Sequence, residues 1–159
     1  MQANRGRDTG PELALRRAVH AQGLRYFVNR RPVKNIRRTA DMVFPKARVA
    51  VFMDGCFWHG CPDHHTAAKT NADFWAAKVE DNRRRDAETD KLMAASGWTV
   101  IRIWEHVPVM QAANLVISAV EDTRECHQHT AQRAADRRSP PTAGEAESRS
   151  LSAAVPPPR

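Results

Sequence analysis

The stretch Val49-Ala50-Val51-Phe52-Met53-Asp54-Gly55-Cys56-Phe57-Trp58-His59-Gly60-Cys61-Pro62-Asp63-His64-His65 constrains the fold more than any other part of the chain. Its apolar start has the length and composition of a buried strand. It then runs straight into a carboxylate, a glycine, two thiols, two large aromatics and three imidazoles. A hydrophobic core has little use for that mixture. A loop leaving the end of a sheet with such side chains is a place for metal ligation and ligand contact.

Other elements can be placed around this strand. Ala40 to Phe44 and Arg48 to Met53 both have strand composition and are separated by Pro45-Lys46-Ala47, so they are predicted to pair antiparallel as a hairpin. The residue opening the first strand then neighbours the residue closing the second, which brings Asp41 and Asp54 to one sheet end. Upstream, Thr9-Gly10-Pro11-Glu12 has capping-box spacing with proline in the first turn, predicting a helix over about 10 to 22 that stops at Gly23. Leu24 to Val28 reads as a short strand and Asn29 to Thr39 as a basic surface loop. Downstream, Cys56 to Ala68 is a loop, after which Thr70 or Asn71 caps a long helix ending at Gly97. Trp75, Val79, Asn82, Asp86, Thr89 and Met93 lie along one side of that helix. An amide and a carboxylate on an inward row need partners, so this side would look onto a polar site. The alternative rotation turns Leu92 and the alanines inward instead. Trp98 to His106 is the cleanest strand, and Pro108 to about Cys126 the last amphipathic helix, with Ala112, Leu115, Val116, Ala119 and Val120 inward. From His127 onward Ser, Pro, Ala, Arg and Glu dominate without aromatics, which reads as a disordered tail. The expected organisation is one α/β domain over 1–126 and a tail over 127–159.

Charge points to a partner. Residues 1 to 40 hold ten arginines and lysines, among them Arg5 and Arg7, against only Asp8 and Glu12, and this part accounts for the whole formal charge of +7. Such an excess suits a polyanion, most simply nucleic acid, although solvated helix faces and a basic loop give the same count. No apolar run is long enough to span a bilayer, and the polar, basic start has no hydrophobic region behind it. The expectation is a cytoplasmic protein with neither membrane span nor signal peptide. Three cysteines, two of them close together among histidines, fit a reduced compartment and metal ligation better than a disulfide framework.

The candidate metal ligands divide by donor type. Cys56, Cys61, His59, Asp63, His64 and His65 offer more than a tetrahedral zinc takes, and His106, on a separate strand, would complete such a site and clamp the loop to the sheet. Two free thiols in a histidine-rich surface loop are the plain alternative. Asp41, Asp54 and Glu12 supply the oxygen donors that Mg²⁺ prefers. In a basic protein, clustered carboxylates suggest phosphodiester hydrolysis, with His59 as general base positioned by Asp86.

The run Asp54-Gly55-Cys56-Phe57-Trp58-His59-Gly60-Cys61-Pro62, followed by Phe74-Trp75, Asn82, Arg85-Asp86 and Gly97-Trp98 through Trp104-Glu105, resembles the very short patch repair endonuclease (Vsr) family over roughly Gly6 to Val107. The resemblance implies a restriction-endonuclease-like fold of the PD-(D/E)xK type, a central mixed sheet flanked by helices, with a structural zinc site. It implies a monomeric bacterial enzyme that uses Mg²⁺ to nick double-stranded DNA 5′ of the thymine in a T·G mismatch left by deamination of 5-methylcytosine. Mismatch-repair proteins and a cognate cytosine-5 methyltransferase are its implied companions. Asp41 matches the metal-binding aspartate, Met53 the residue whose backbone carbonyl shares that metal, His59 the catalytic histidine and Asp86 its carboxylate partner. Glu12 matches an acidic residue at metal-bound water. Phe57, Trp58 and Trp75 match aromatics that wedge into DNA beside the mismatch, with Asn82, Arg5 and Arg7 also at the DNA. Cys56 and His106 fall on zinc positions, completed by Cys61 and His64, with Asp63 and His65 competing for the last place. Asp54 stands where the family pattern has histidine, and Ala40 where this nuclease fold frequently has proline.

Overall fold

A strand with no polar interruption needs neighbours on both edges and cover on both faces, and Val49–Asp54 has both. The computed structural model describes residues 7–64, 66 and 70–136. Over these the element order is α1 (Gly10–Ala21), β1 (Phe27–Arg30), β2 (Ala40–Phe44), β3 (Val49–Asp54), α2 (Ala72–Ala95), β4 (Thr99–Trp104) and α3 (Val109–Asp136). The sheet runs β1-β2-β3-β4, antiparallel across the first two pairings and parallel across the last. Met42 opposite Val51 and Phe44 opposite Val49 give the predicted hairpin. A parallel partner requires a crossover, which α2 supplies. The β3–β4 register sets Asp54 against Trp104, so the ligand-rich loop and Glu105-His106 leave the sheet side by side.

The result is a mixed α/β fold with helices on both faces of the sheet. On one face Leu15 and Val19 of α1 and Ala112, Ala113, Val116 and Val120 of α3 pack on Met42, Phe44, Val49, Val51 and Ile103. On the other, Met93 of α2 meets Val43, Ala50 and Phe52, joined by Ile36 and Ala40. Burying each larger aliphatic chain contributes roughly 1.5–3 kcal/mol, so packing outweighs the caps. Thr9 sits at the N-cap of α1 without capping a backbone N–H; its hydroxyl donates to Glu12 at 3.0 Å, while Glu12 accepts the Asp8 N–H at 2.8 Å. Asn71 precedes α2 in the left-handed region, φ 55°, again without a side-chain cap.

Several boundaries differ from the sequence expectation. Pairing of β1 begins at Phe27 and not Leu24, because Leu24 and Tyr26 are drawn into the α1–α3 core and the Tyr26 hydroxyl donates to the Arg16 carbonyl at 2.6 Å. β4 ends at Trp104 rather than His106. Leu115 is exposed, its expected inward place taken by Ala113. The largest correction concerns α3, which continues to Asp136, so the stretch 127–136 belongs to the helix and not to a tail. Neither glycine nor proline occurs between His127 and Asp136, and a lack of aromatics does not break a helix supported by good helix formers. The remainder of the expected tail, with Arg5 and His65, lies outside the described residues. No helix among the described residues is long and apolar enough to cross a membrane.

Candidate active site

The mixed row on α2 lies inward. Val79, Thr89 and Met93 are buried, Trp75, Asn82 and Asp86 half-buried, and Leu92 is exposed, so the alternative rotation does not occur. Its polar members hold the loop after β3: Asn82 Nδ2 donates to the Trp58 carbonyl at 2.7 Å, and His59 Nδ1 lies 2.6 Å from Asp86 Oδ2. Arg83 donates to the carbonyl of His59 at 3.1 Å and to that of Gly60. Three successive loop carbonyls are thereby tied to one helix. Only glycine suits the third position, since φ is +64° and a Cβ would come within 2.6 Å of both Val79 and Arg83. Asn82, expected at DNA, has its amide engaged inside the protein, its oxygen accepting from Arg85.

Asp54 is 5% exposed, and its Oδ1 lies 3.9 Å from His59 Nδ1. Burial pushes its carboxyl above the usual range, opposed by the charges of Arg102 and His59. Arg102, which the sequence reading passed over, gives Nη1 to both Asp54 oxygens at 2.9 and 3.2 Å, Nη2 to Asp86 Oδ1 at 3.2 Å and Nε to Asp90 at 3.1 Å. Although burial opposes its charge, these carboxylates hold Arg102 more firmly protonated than usual. An arginine inside an otherwise apolar strand was the available signal.

Asp41 accepts the Met53 N–H on Oδ2 at 2.7 Å, just past the last regular β2–β3 pair. Burial pushes its pKa up to about 6, with the Glu12 and Asp54 charges adding and the Met53 hydrogen bond and Arg16 opposing. The charges of Glu12 and Asp54 both act on Asp41, and each of the three expected oxygen donors has further partners of its own. Asp54 shares the α2 face of the sheet with Arg102 and His59, whereas Glu12, on α1, is held by Arg16 Nη2 at 3.1 Å and by Asp8 and Thr9. Among the described residues Asp54, His59 and Asp86 form an oxygen-containing group with donor atoms within 4.8 Å of one another.

A second group lies across the loop. Cys56, Cys61, His64 and His106 bring four donor atoms within 4.8 Å of one another. Cys56 Sγ is 3.1 Å from His106 Nδ1, and Cys61 Sγ is 3.8 Å from His64 Nδ1 and 3.7 Å from His106 Nδ1. Sulfur and nitrogen ligands on one tetrahedral ion stand about 3.5 Å apart, so the set could hold a metal. Among the described residues His64 is the one of the three competing ligands in this group, Asp63 lying outside it. Burial and the neighbouring Cys61 push Cys56 up to about 11. Burial also acts against ionisation of Cys61, but hydrogen bonds from the His64 side chain and from the Asp63 and His64 backbones bring it below its usual value. Glu105 braces the site, accepting the Cys56 N–H at 2.7 Å while its own N–H donates to the Asp54 carbonyl at 3.0 Å.

Phe57, Trp58 and Trp75 form a triangle of rings with centroids 5.3, 5.5 and 5.6 Å apart, half-buried and outside both cores. Phe74, 62% exposed, extends it at 5.3 Å from Trp75. Arg7 is exposed ahead of α1.

Residues 1–69 match the family model for the DNA mismatch endonuclease Vsr. The type II nicking enzyme V.NaeI of Lentzea aerocolonigenes is 42% identical over 125 residues, 77% of this chain and 73% of that protein. The chain belongs to the Vsr family. The type II nicking enzyme V.NmeDIP of Neisseria meningitidis serogroup C is 42% identical over 127 residues, 77% of this chain and 84% of the relative. The DNA mismatch endonuclease Vsr of Escherichia coli K12 is 31% identical over 109 residues, 66% of each. This Vsr-family protein is therefore a DNA endonuclease, and DNA is the polyanion that its basic N-terminal part anticipates.

Proposed function

We propose that this endonuclease nicks double-stranded DNA on the 5′ side of the thymine in a T·G mismatch, the product of 5-methylcytosine deamination. The observation that carries the reading is the meeting, at one sheet end, of the His59–Asp86 pair, the Asp41–Met53 contact and the ring cluster. With Nδ1 of His59 donating to Asp86, Nε2 is the nitrogen left to take a proton from an attacking water. The second oxygen of Asp41 and the Met53 carbonyl are hard donors suited to Mg²⁺, and a carboxylate destabilised by burial gains from a cation. Mg²⁺ bound there would supply charge to neutralise the scissile phosphate. Cys56, Cys61, His64 and His106 would hold Zn²⁺, whose role is to tie the loop after β3 to the end of β4.

Phe57, Trp58 and Trp75 would enter the base stack beside the mismatch, where pairing is already weakened. Arg5 and Arg7, ahead of α1, would contact the phosphate backbone. The mixed sheet with flanking helices supports the restriction-endonuclease-like assignment, and the names of the relatives support scission of one strand. A cytosine-5 methyltransferase creates the precursor of the lesion and is the natural companion activity. The deciding experiment incubates the protein and Mg²⁺ with end-labelled duplexes carrying T·G, other mismatches or none. One nick 5′ of the mismatched thymine is expected. Equal scission of the matched duplex would overturn the reading in favour of a restriction-type nuclease.

A further inference from the structure

We propose that Arg102 is a positioning residue for the nicking reaction: it fixes the carboxylate of Asp86 in the rotation that engages His59 and holds Asp54 away from the same imidazole. The inference rests on the reading of His59 as the base. Asp86 is divided between two partners, Oδ2 to His59 at 2.6 Å and Oδ1 to Arg102 Nη2 at 3.2 Å, so its plane is set by both. Asp54 Oδ1 stands 3.9 Å from His59 Nδ1 and is retained there by Arg102 Nη1 at 2.9 Å. Without that guanidinium two anions would compete for one ring N–H. Asp54, the more deeply buried, would be left without its cation and has the greater need of a donor. The imidazole would then turn from Asp86, and Nε2 would leave the place where it takes the proton.

Arg102 is itself fixed. Its Nε meets both Asp90 oxygens at 3.1 Å, and its guanidinium lies 4.9 Å from the centroid of the Phe52 ring. One planar fork thus spans three carboxylates, which a lysine ammonium, a point charge, does not reproduce.

The test compares Arg102→Lys and Asp90→Asn with wild type, using DNA affinity and single-turnover nicking at saturating enzyme on whichever duplex the wild type cuts. Arg102→Lys keeps the positive charge. It is expected to bind DNA within about twofold of wild type but to nick roughly tenfold or more slowly, the scale of misplaced catalytic groups. Asp90→Asn loosens only the outer anchor and is expected to give a smaller loss in the same direction with unchanged affinity. In a His59→Ala background neither substitution should lower the residual rate further, because the effect passes through the imidazole.

Wild-type nicking by Arg102→Lys, or an equal fractional loss with and without His59, would overturn the proposal. If Arg102→Lys does not fold, Asp90→Asn with and without His59→Ala decides alone. Failure of the T·G reading would appear in the wild type's choice of duplex, and failure of the general-base reading as full activity of His59→Ala, both distinct from these ratios.

Discussion

Replacing Asp41 with asparagine separates what the fold wants from what the reaction wants. Its pKa of about 6 lies above an ordinary aspartate value of 3.8, so the native state holds the proton more tightly than the unfolded chain does. Below about pH 4 both states are protonated and Asp41 costs nothing. Between about pH 4 and 6 the unfolded chain ionises first, and stability falls as pH rises. Above the native pKa the deficit is complete, and two units or so of shift correspond to about 3 kcal/mol. Asparagine keeps an oxygen to accept the Met53 N–H, now 2.7 Å from the carboxylate, and carries no charge. Asp41→Asn is therefore expected to match wild type near pH 4 and to be more stable by up to about 3 kcal/mol at pH 8, roughly 10 °C in melting temperature for a chain of this size. Nicking should be lost. Urea unfolding at both pH values, without added Mg²⁺ and without chelator, gives the difference between the two proteins and cancels the slopes of other carboxylates such as Asp54. A variant equal to or less stable than wild type at pH 8 would refute the assignment of a net destabilising buried charge to Asp41.

Three further outcomes are expected. Cys61→Ser should lose the metal and melt at lower temperature, because ligation and folding are coupled; elemental analysis of protein purified without added metal checks it, and a fully folded, zinc-free wild type would contradict it. His59→Ala should lower the nicking rate by roughly 10²–10⁴-fold with little change in DNA affinity, whereas parallel losses of both would assign the ring a structural role. Trp58→Ala should weaken binding to a T·G duplex by roughly 1–3 kcal/mol in titrations that leave matched-duplex binding unchanged; a marked drop in melting temperature with equal loss on both duplexes would show the rings to be packing alone.

Much of the fold was legible because local patterns carried it. The β2–β3 hairpin followed from two apolar runs and a short connection, and the inward row of α2 from its spacing of threes and fours. Legibility failed where tertiary packing chose among equivalent local solutions. Leu24 could open a strand, but the core between α1 and α3 took it, and β1 began three residues later. Ala113 rather than Leu115 turned inward on α3, since a small side chain lets that helix lie close to α1 and the sheet. The end of α3 differs for another reason: a composition low in aromatics resembles disorder, yet each residue from His127 to Asp136 tolerates a helix.

The site divides in the same way. His59, Asp86, Cys56, Cys61 and His64 could be listed from one loop and one helix, and His106 from just past the last strand, because donor types at short spacing advertise themselves. The pairing of Asp54 with Arg102 could not. Asp54 follows Ala50 and Phe52 at period two, so its face was readable, and Arg102 shares a face with Val100 in the same way. What joins them is the parallel register that sets Phe52 against Arg102, and that register is decided across α2, a 24-residue helix that leaves no trace of it in local sequence. The consequence is chemical. At the position where the resemblance implies histidine, this chain has a carboxylate, and a buried carboxylate 3.9 Å from the imidazole proposed as the base is tolerable only if something else claims it. Arg102 makes that claim on Asp54, and the same guanidinium holds the carboxylate of Asp86, which His59 needs. One strand residue therefore offsets the cost of the departure and sets the geometry of the pair beside it.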